Sequence, residues 1–170
     1  MEKVMKVNRS AAENLKAQYL DSPVGLLEIQ CSEQGVRSVN FVENRVLETV
    51  ENEYNLLVIK QLSEYFDGKR KVFELTYDLE GTPFQQRVWQ ELLKIPFGKT
   101  RSYMDVSRAL GDSKAIRAVG TANGSNKIAI IIPCHRVIGS DGSLTGYAGG
   151  LARKKWLLDF EIPPIQTTLF

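Results

Sequence analysis

The segment Thr82-Pro83-Phe84-Gln85 is the sharpest structural punctuation in this 170-residue chain. Thr82 can accept from the N–H three residues on, and Gln85 can return a bond to Thr82. Pro83 brings a preset φ to the first helical position, where no N–H is needed. Phe84, Val88, Trp89, Leu92 and Leu93 then recur at helical spacing, and Pro96 stops the run. A helix that starts so abruptly divides the chain near residue 80. The expected units are 1–80, 81–162 and an exposed tail, 163–170. Charge divides the same way. Residues 1–80 carry 10 Lys+Arg against 14 Asp+Glu, and residues 81–170 carry 12 against 6. The net +2 therefore hides an acidic half and a basic half, and the basic half is the better polyanion binder. Chance scatter of surface charge is the competing explanation.

The first half reads as small mixed α/β. Val24 to Cys31 and Val36 to Val42 are expected strands, joined by the hairpin-like loop Ser32-Glu33-Gln34-Gly35. Leu15 to Leu20 precedes a turn at Asp21-Ser22-Pro23. Val46 to Val50 is expected as a short helix and Leu57 to Phe66 as a longer one, with Val58, Leu62, Tyr65 and Phe66 on one face. Val72 to Leu79 is either a strand or an extended linker. In the second half Ser102 to Leu110 is a short helix with Met104 or Val106 and Leu110 inward. Gly111-Asp112-Ser113 breaks it, and Lys114 to Ala122 makes the next helix. Helix, Gly-containing turn, helix is the outline of a helix-turn-helix. Ala115, Ala118, Gly120 and Ala122 make its second helix small-sided, with Lys114 and Arg117 as the long basic side chains. That suits close approach to a nucleic acid or close packing on another helix. The β-branched run Ile128 to Ile132 reads as a buried strand, and residues 151–161 as a final helix.

Scarcity narrows the chemistry. Two cysteines cannot build a disulfide framework, which places the chain in a reducing, cytoplasmic interior. With His135 they give three ligands, too few for a four-ligand Cys/His zinc site. No apolar run reaches about 18 residues, so no transmembrane helix is expected, and residues 1–16 lack the apolar core of a secretory signal. Cys134 stands out. It ends the apolar run, sits beside the single histidine and Arg136, and opens a loop with five glycines between Gly139 and Gly150. Electropositive neighbours favour the thiolate, which is the nucleophile. The opposing reading is a buried, inert cysteine, and Cys31 keeps that reading. Glu161 sits in the last turn of the final helix, where a carboxylate opposes the dipole. It is either a solvated end or the partner of a histidine.

The run Ile132-Pro133-Cys134-His135-Arg136-Val137-Ile138-Gly139 resembles the active-site signature of the O6-alkylguanine-DNA alkyltransferases. The resemblance extends through Thr82-Pro83-Phe84-Gln85, Arg117-Ala118-Val119-Gly120, Asn126, Tyr147-Ala148-Gly149-Gly150 and Lys154-Lys155-Trp156-Leu157-Leu158. It covers residues 82–161 in order, and the first half only loosely. The resemblance implies an α+β fold, a ribonuclease-H-like N-terminal domain followed by a mainly helical, winged-helix-like domain with a helix-turn-helix. It implies a suicide repair protein that needs no cofactor or metal. Such a protein binds the minor groove of double-stranded DNA, flips out the O6-alkylguanine and takes its alkyl group irreversibly, with O4 of thymine as a second target.

By the same resemblance Cys134 is the acceptor, His135 deprotonates it through a water, and Glu161 orients His135. Asn126 holds the turn before the active site, and Tyr103 donates to guanine N3. Arg117 fills the gap left by the flipped base, with Lys114, Ala118, Ala122 and Arg136 also on the DNA side. Val137, Tyr147, Ala148 and Gly149 wall the pocket. The carbonyls of Cys134 and Val137 read the exocyclic amine, and the N–H of Ala148 faces O6. Two departures stand out. The N-terminal half has no histidine and only Cys31, which excludes the structural zinc of some relatives. Ala148 stands where some relatives carry Ser, so a hydroxyl near O6 is absent.

The tail Gln166-Thr167-Thr168-Leu169-Phe170 resembles the short peptide that docks on bacterial sliding clamps. Otherwise the protein is expected to be a monomer without a membrane partner. Two further classes compete. A lesion sensor of the same fold would lack the reactive cysteine. A helix-turn-helix regulator would leave Cys134-His135 unexplained and would want a longer polar recognition helix.

Overall fold

The computed structural model describes residues 16–49 and 51–164. Its first half is a four-stranded sheet carrying one helix. Strands β1 (Lys16–Ser22), β2 (Gly25–Ser32) and β3 (Gly35–Val42) form an antiparallel meander, and β4 (Glu48–Thr49) lies parallel to β1. The spatial order is β3-β2-β1-β4, with a register shift at Gln30/Cys31. The hairpin between β2 and β3 depends on Gly35. Its φ is +147° and an added Cβ would lie 2.3 Å from the Thr76 carbonyl oxygen, so only glycine fits. Helix α1 (Glu53–Phe66) covers the sheet with Val58, Leu62 and Tyr65. It begins four residues before the expected start, because Asn52 caps it by accepting from Asn55 N–H at 2.7 Å.

One expectation for this half changes. Residues 46–49 are not helical. Leu47 N–H donates to the Tyr19 hydroxyl at 2.9 Å, and Glu48–Thr49 pair with Lys16–Ala17. The sheet edge wins over a weak local helical pattern. Residues 72–79 take the extended-linker alternative, touching the sheet through the Val36–Tyr77 bridge.

The second half packs α2 (Pro83–Leu92), α3 (Tyr103–Ala109), α4 (Ile116–Gly124) and α5 (Leu151–Glu161), with the short parallel pair β5 (Arg101–Ser102) and β6 (Val137–Ile138). The reciprocal cap of α2 is present, with Gln85 N–H to Thr82 Oγ1 at 3.1 Å and Thr82 N–H to Gln85 Oε1 at 2.9 Å. Trp89 of α2 donates to the Ala122 carbonyl at 2.8 Å and ties α2 to α4. Helix α4 starts two residues later than expected. Asp112 accepts from Lys114 N–H at 2.9 Å in a turn that delays the helix, whose cap position is Ala115.

Residues 128–132 are buried as expected but are not a strand. They touch β3 through one bridge, with Val39 N–H to Lys127 O at 2.8 Å and Ala129 N–H to Val39 O at 3.0 Å. The chain then folds on itself, with Ile132 N–H to Ile128 O at 3.0 Å. Ile130 has φ +69°, alone among the non-glycine described residues with positive φ. A β-branched residue there costs about 1–3 kcal/mol. The full burial of its side chain between the two halves holds it in place. One continuous core runs from Leu27, Val39 and Leu62 through Val88 and Val119 to Val137 and Leu157. The site rests on that shared core.

Candidate functional site

Cys134, His135 and Arg136 form a single tight turn, all buried, directly after the folded isoleucine run. Asn126 organises its approach. Its side-chain amide donates to Ile132 O at 2.9 Å and to Cys134 Sγ at 3.2 Å, and its carbonyl accepts from Ile128 N–H at 3.0 Å. One side chain thus fixes the turn and points a donor at the sulfur. From α4, Asn123 donates to the Cys134 carbonyl at 3.3 Å.

His135 faces Glu161 across a buried contact of 2.9 Å between Nε2 and Oε1. Burial alone would raise the Glu161 carboxyl. Hydrogen bonds from His135 and Arg136 outweigh it and hold the group at about 2. An ionised carboxylate only accepts, so His135 Nε2 carries the proton and donates. That leaves Nδ1 as the basic nitrogen, buried and without a hydrogen-bond partner. Burial lowers the pKa of His135, opposed by the Glu161 bond, so the resting imidazole is neutral. Glu161 is therefore the buried partner of a histidine and not a solvated end.

Two expectations about charge are corrected. Arg136 does not face DNA and does not make the sulfur's surroundings electropositive. It is buried, donates to both Glu161 oxygens at 2.8 Å and to Ile95 O at 2.6 Å, and lies over the Phe97 ring. Glu161 absorbs its charge. Burial accordingly pushes the Cys134 thiol up, against the Asn126 bond and the positive charge of Lys154. The resting pair is a neutral thiol and a neutral imidazole.

Lys154 was not singled out for a role from the sequence. It is fully buried on α5 and donates to Val137 O at 2.6 Å and Thr145 O at 2.9 Å. It pins the glycine-rich loop to the helix. Its signal was available, because Lys154, Leu157, Leu158 and Glu161 fall on one helical face and all four are buried. Tyr65 was read only as a core residue. Its hydroxyl donates to Glu161 Oε1 at 2.8 Å from α1.

The residues expected to wall a pocket differ in what they touch. Tyr103 donates to Thr145 O at 2.9 Å, and burial raises its pKa. The Tyr147 hydroxyl is buried without a hydrogen-bond partner, and its ring meets Phe41 edge-on at 6.2 Å. Gly149 packs against Phe41, where a Cβ would come within 2.7 Å of the ring. Ala148 is exposed beside them. The Cys134 carbonyl already accepts from Asn123 and from Val137 N–H, which engages both lone pairs. The Val137 carbonyl accepts from Lys154 and keeps one.

Lys114, in the turn before α4, and Arg117 and Ala118, in its first turn, are exposed. Ala122 is not with them. It is buried, and its carbonyl holds Trp89, so its small side chain serves helix packing and not a groove. Among the described residues no group of three or more His, Cys, Asp and Glu could hold a metal, and no helix is long and apolar enough to cross a membrane.

A small sheet half joined to a helix-turn-helix half, with thiol, imidazole and carboxylate buried behind the helices, defines an α+β protein with one buried polar cluster. Residues 83–162 match the DNA binding domain of 6-O-methylguanine DNA methyltransferase, and residues 15–79 match its ribonuclease-like domain. A methylated-DNA–protein-cysteine methyltransferase of Methanosarcina barkeri is 44% identical over 148 residues, 84% of this chain and 94% of the relative. One of Mycobacterium bovis is 54% identical over 114 residues, 66% of this chain and 69% of the relative. The crystal structure of Mycobacterium tuberculosis OGT in complex with DNA superposes with a TM-score of 0.79 at 44% identity, covering 86% of this chain and 92% of that one. The chain belongs to the 6-O-methylguanine DNA methyltransferase family.

Proposed function

We propose that this protein repairs O6-alkylguanine in double-stranded DNA, and O4-alkylthymine with it, by moving the alkyl group to Cys134 once per molecule. The observation that carries this reading is the buried chain of Cys134, His135 and Glu161, with His135 Nδ1 left basic and Asn126 donating to the sulfur. The Cys134 proton passes to His135 Nδ1 through a water. The imidazolium is stabilised by Glu161, and the thiolate by the Asn126 amide and the Lys154 charge. The sulfur attacks the alkyl carbon in line. The S–C bond forms, the C–O6 bond breaks, and its electron pair stays on the guanine, which Tyr103 assists by turning its hydroxyl from Thr145 O to N3. A thioether has no easy leaving group, so the protein is spent.

The alkylated oxygen lies inside the duplex, and Cys134 is 4% exposed. The base must therefore come out of the stack to reach it. The exposed α4 edge with Lys114, Arg117 and Ala118 enters the minor groove, and Arg117 occupies the space of the extruded base. Tyr147, Ala148, Gly149 and Val137 line the base pocket. The protein acts as a monomer in the cytoplasm. Residues 1–80 and 81–162 serve as its two domains. The clamp-like segment Gln166-Phe170 lies outside the described residues. A chain cut after Pro164 should lose affinity for a bacterial sliding clamp, and unchanged affinity would end that assignment.

The test is DNA carrying a labelled alkyl group at guanine O6. Label should reach at most one equivalent per chain, map to Cys134 and vanish with Cys134→Ala. Label released as a small molecule, or repeated turnovers, would refute the mechanism.

A further inference from the structure

Nothing in the chemistry above uses the sheet half of the molecule, yet one of its side chains reaches the relay. We infer that the Tyr65 hydroxyl of α1 is a positioning residue, which holds Glu161 and so sets the basicity of His135. The proposal rests on the reading of His135 as the base.

Glu161 Oε1 is shared. It accepts from Tyr65 at 2.8 Å, His135 at 2.9 Å and Arg136 Nη2 at 2.8 Å, while Oε2 accepts from Arg136 Nε at 2.8 Å. Tyr65 and His135 therefore compete for the electron density of one oxygen. A donor on that oxygen reduces its pull on the imidazole proton. The Tyr65 ring has no freedom to turn away. It is fully buried and packs on Phe66, Phe73, Phe97 and Phe160 at centroid distances of 5.1 to 6.0 Å. Its phenol stays protonated, since burial and then the Glu161 charge both push its pKa up. It can only donate.

The other groups that act on this carboxylate and imidazole are known. Arg136 comes from the turn, Lys154 from α5 and Tyr147 from the glycine-rich loop. Of all these, Tyr65 alone comes from the sheet half. The inference gives that half a part in the chemistry beyond packing.

The experiment exploits the single histidine of the chain, whose ring signals need no assignment in an untagged protein. Tyr65→Phe keeps the ring and removes the hydroxyl. The His135 titration midpoint, read by NMR of the imidazole carbons, should move up by about half to one pH unit. The acid limb of the rate of transfer from O6-methylguanine DNA should move up with it. Phe160→Leu loosens the same aromatic cluster and should leave the midpoint unmoved. If Tyr65→Phe fails to fold, 3-fluorotyrosine placed at position 65 is a stronger donor and should move the midpoint down. An unmoved midpoint in a folded Tyr65 variant overturns the proposal, as does an equal shift in Phe160→Leu. A midpoint that moves while the rate profile stays fixed upholds the Tyr65 effect and instead removes His135 as the base.

Discussion

Replacing Arg136 by Met should cost this protein about 3 kcal/mol at neutral pH and much less in acid. Arg136 and Glu161 are both buried and share two bonds of 2.8 Å, and breaking such a pair by removing one partner costs about 3–5 kcal/mol. A carboxyl held at about 2 instead of 4.5 carries roughly 3 kcal/mol of folding free energy, shared between the bonds from His135 and from Arg136. His135 and Tyr65 still bond to Glu161 in the variant, which favours the lower end. Met replaces the aliphatic stem, so little cavity is created. In a chain of this size the loss lowers Tm by roughly 6–12 °C.

The pH dependence follows from the sign of the shift. The folded value is depressed, so the stabilisation is complete above the unfolded value near 4.5 and disappears as pH falls through about 2. The variant lacks the share that Arg136 supplies, while His135 keeps its own. Urea unfolding at pH 7 should therefore separate the two proteins by about 3 kcal/mol, and the curves should converge as pH approaches 2. A loss below about 1 kcal/mol at pH 7, or an equal gap at both ends, would show that Arg136 does not hold Glu161 ionised.

Three further outcomes are expected. Arg117→Ala should slow transfer from duplex DNA by roughly tenfold or more while leaving transfer from the free base nearly unchanged, because the exposed side chain touches nothing in the thiol relay; equal losses on both substrates would remove it from base extrusion. Lys154→Met removes donors from Val137 O and Thr145 O, each worth about 1.5–3 kcal/mol, and should speed proteolysis between residues 139 and 149 along with lowering transfer; an unchanged cleavage pattern would count against the pin. Gly35→Ala should lower stability by at least about 2 kcal/mol in urea titration, since its Cβ would overlap the Thr76 carbonyl, and a loss under about 0.5 kcal/mol would contradict the hairpin geometry.

Much of the fold was legible because its signals are local. The Thr82–Gln85 cap, the Val58, Leu62 and Tyr65 stripe and the bounds of the last helix follow from short-range periodicity and hydrogen-bond chemistry. The starts of α1 and α4 turn on local bonds to Asn52 and Asp112, but the larger misreadings share one cause. Residues 46–49 pair with β1, Ile128–Ile132 folds between two halves, and Ala122 meets Trp89 thirty-three residues away. Each is decided by a partner distant in sequence, which no local pattern contains.

The same division applies to the site. Residue order alone tells which groups are present: one histidine, a cysteine beside it at the end of an apolar run, and a carboxylate misplaced for its helix dipole. Their ionisation comes from packing. Burial keeps Cys134 and His135 neutral at rest, and Arg136, expected beside the sulfur as a free charge, spends itself on Glu161. Charge state depends on desolvation and on partners brought in through space, as Tyr65 is brought ninety-six residues to Glu161. Composition and spacing name the reacting groups, and the packed interior sets where their protons lie.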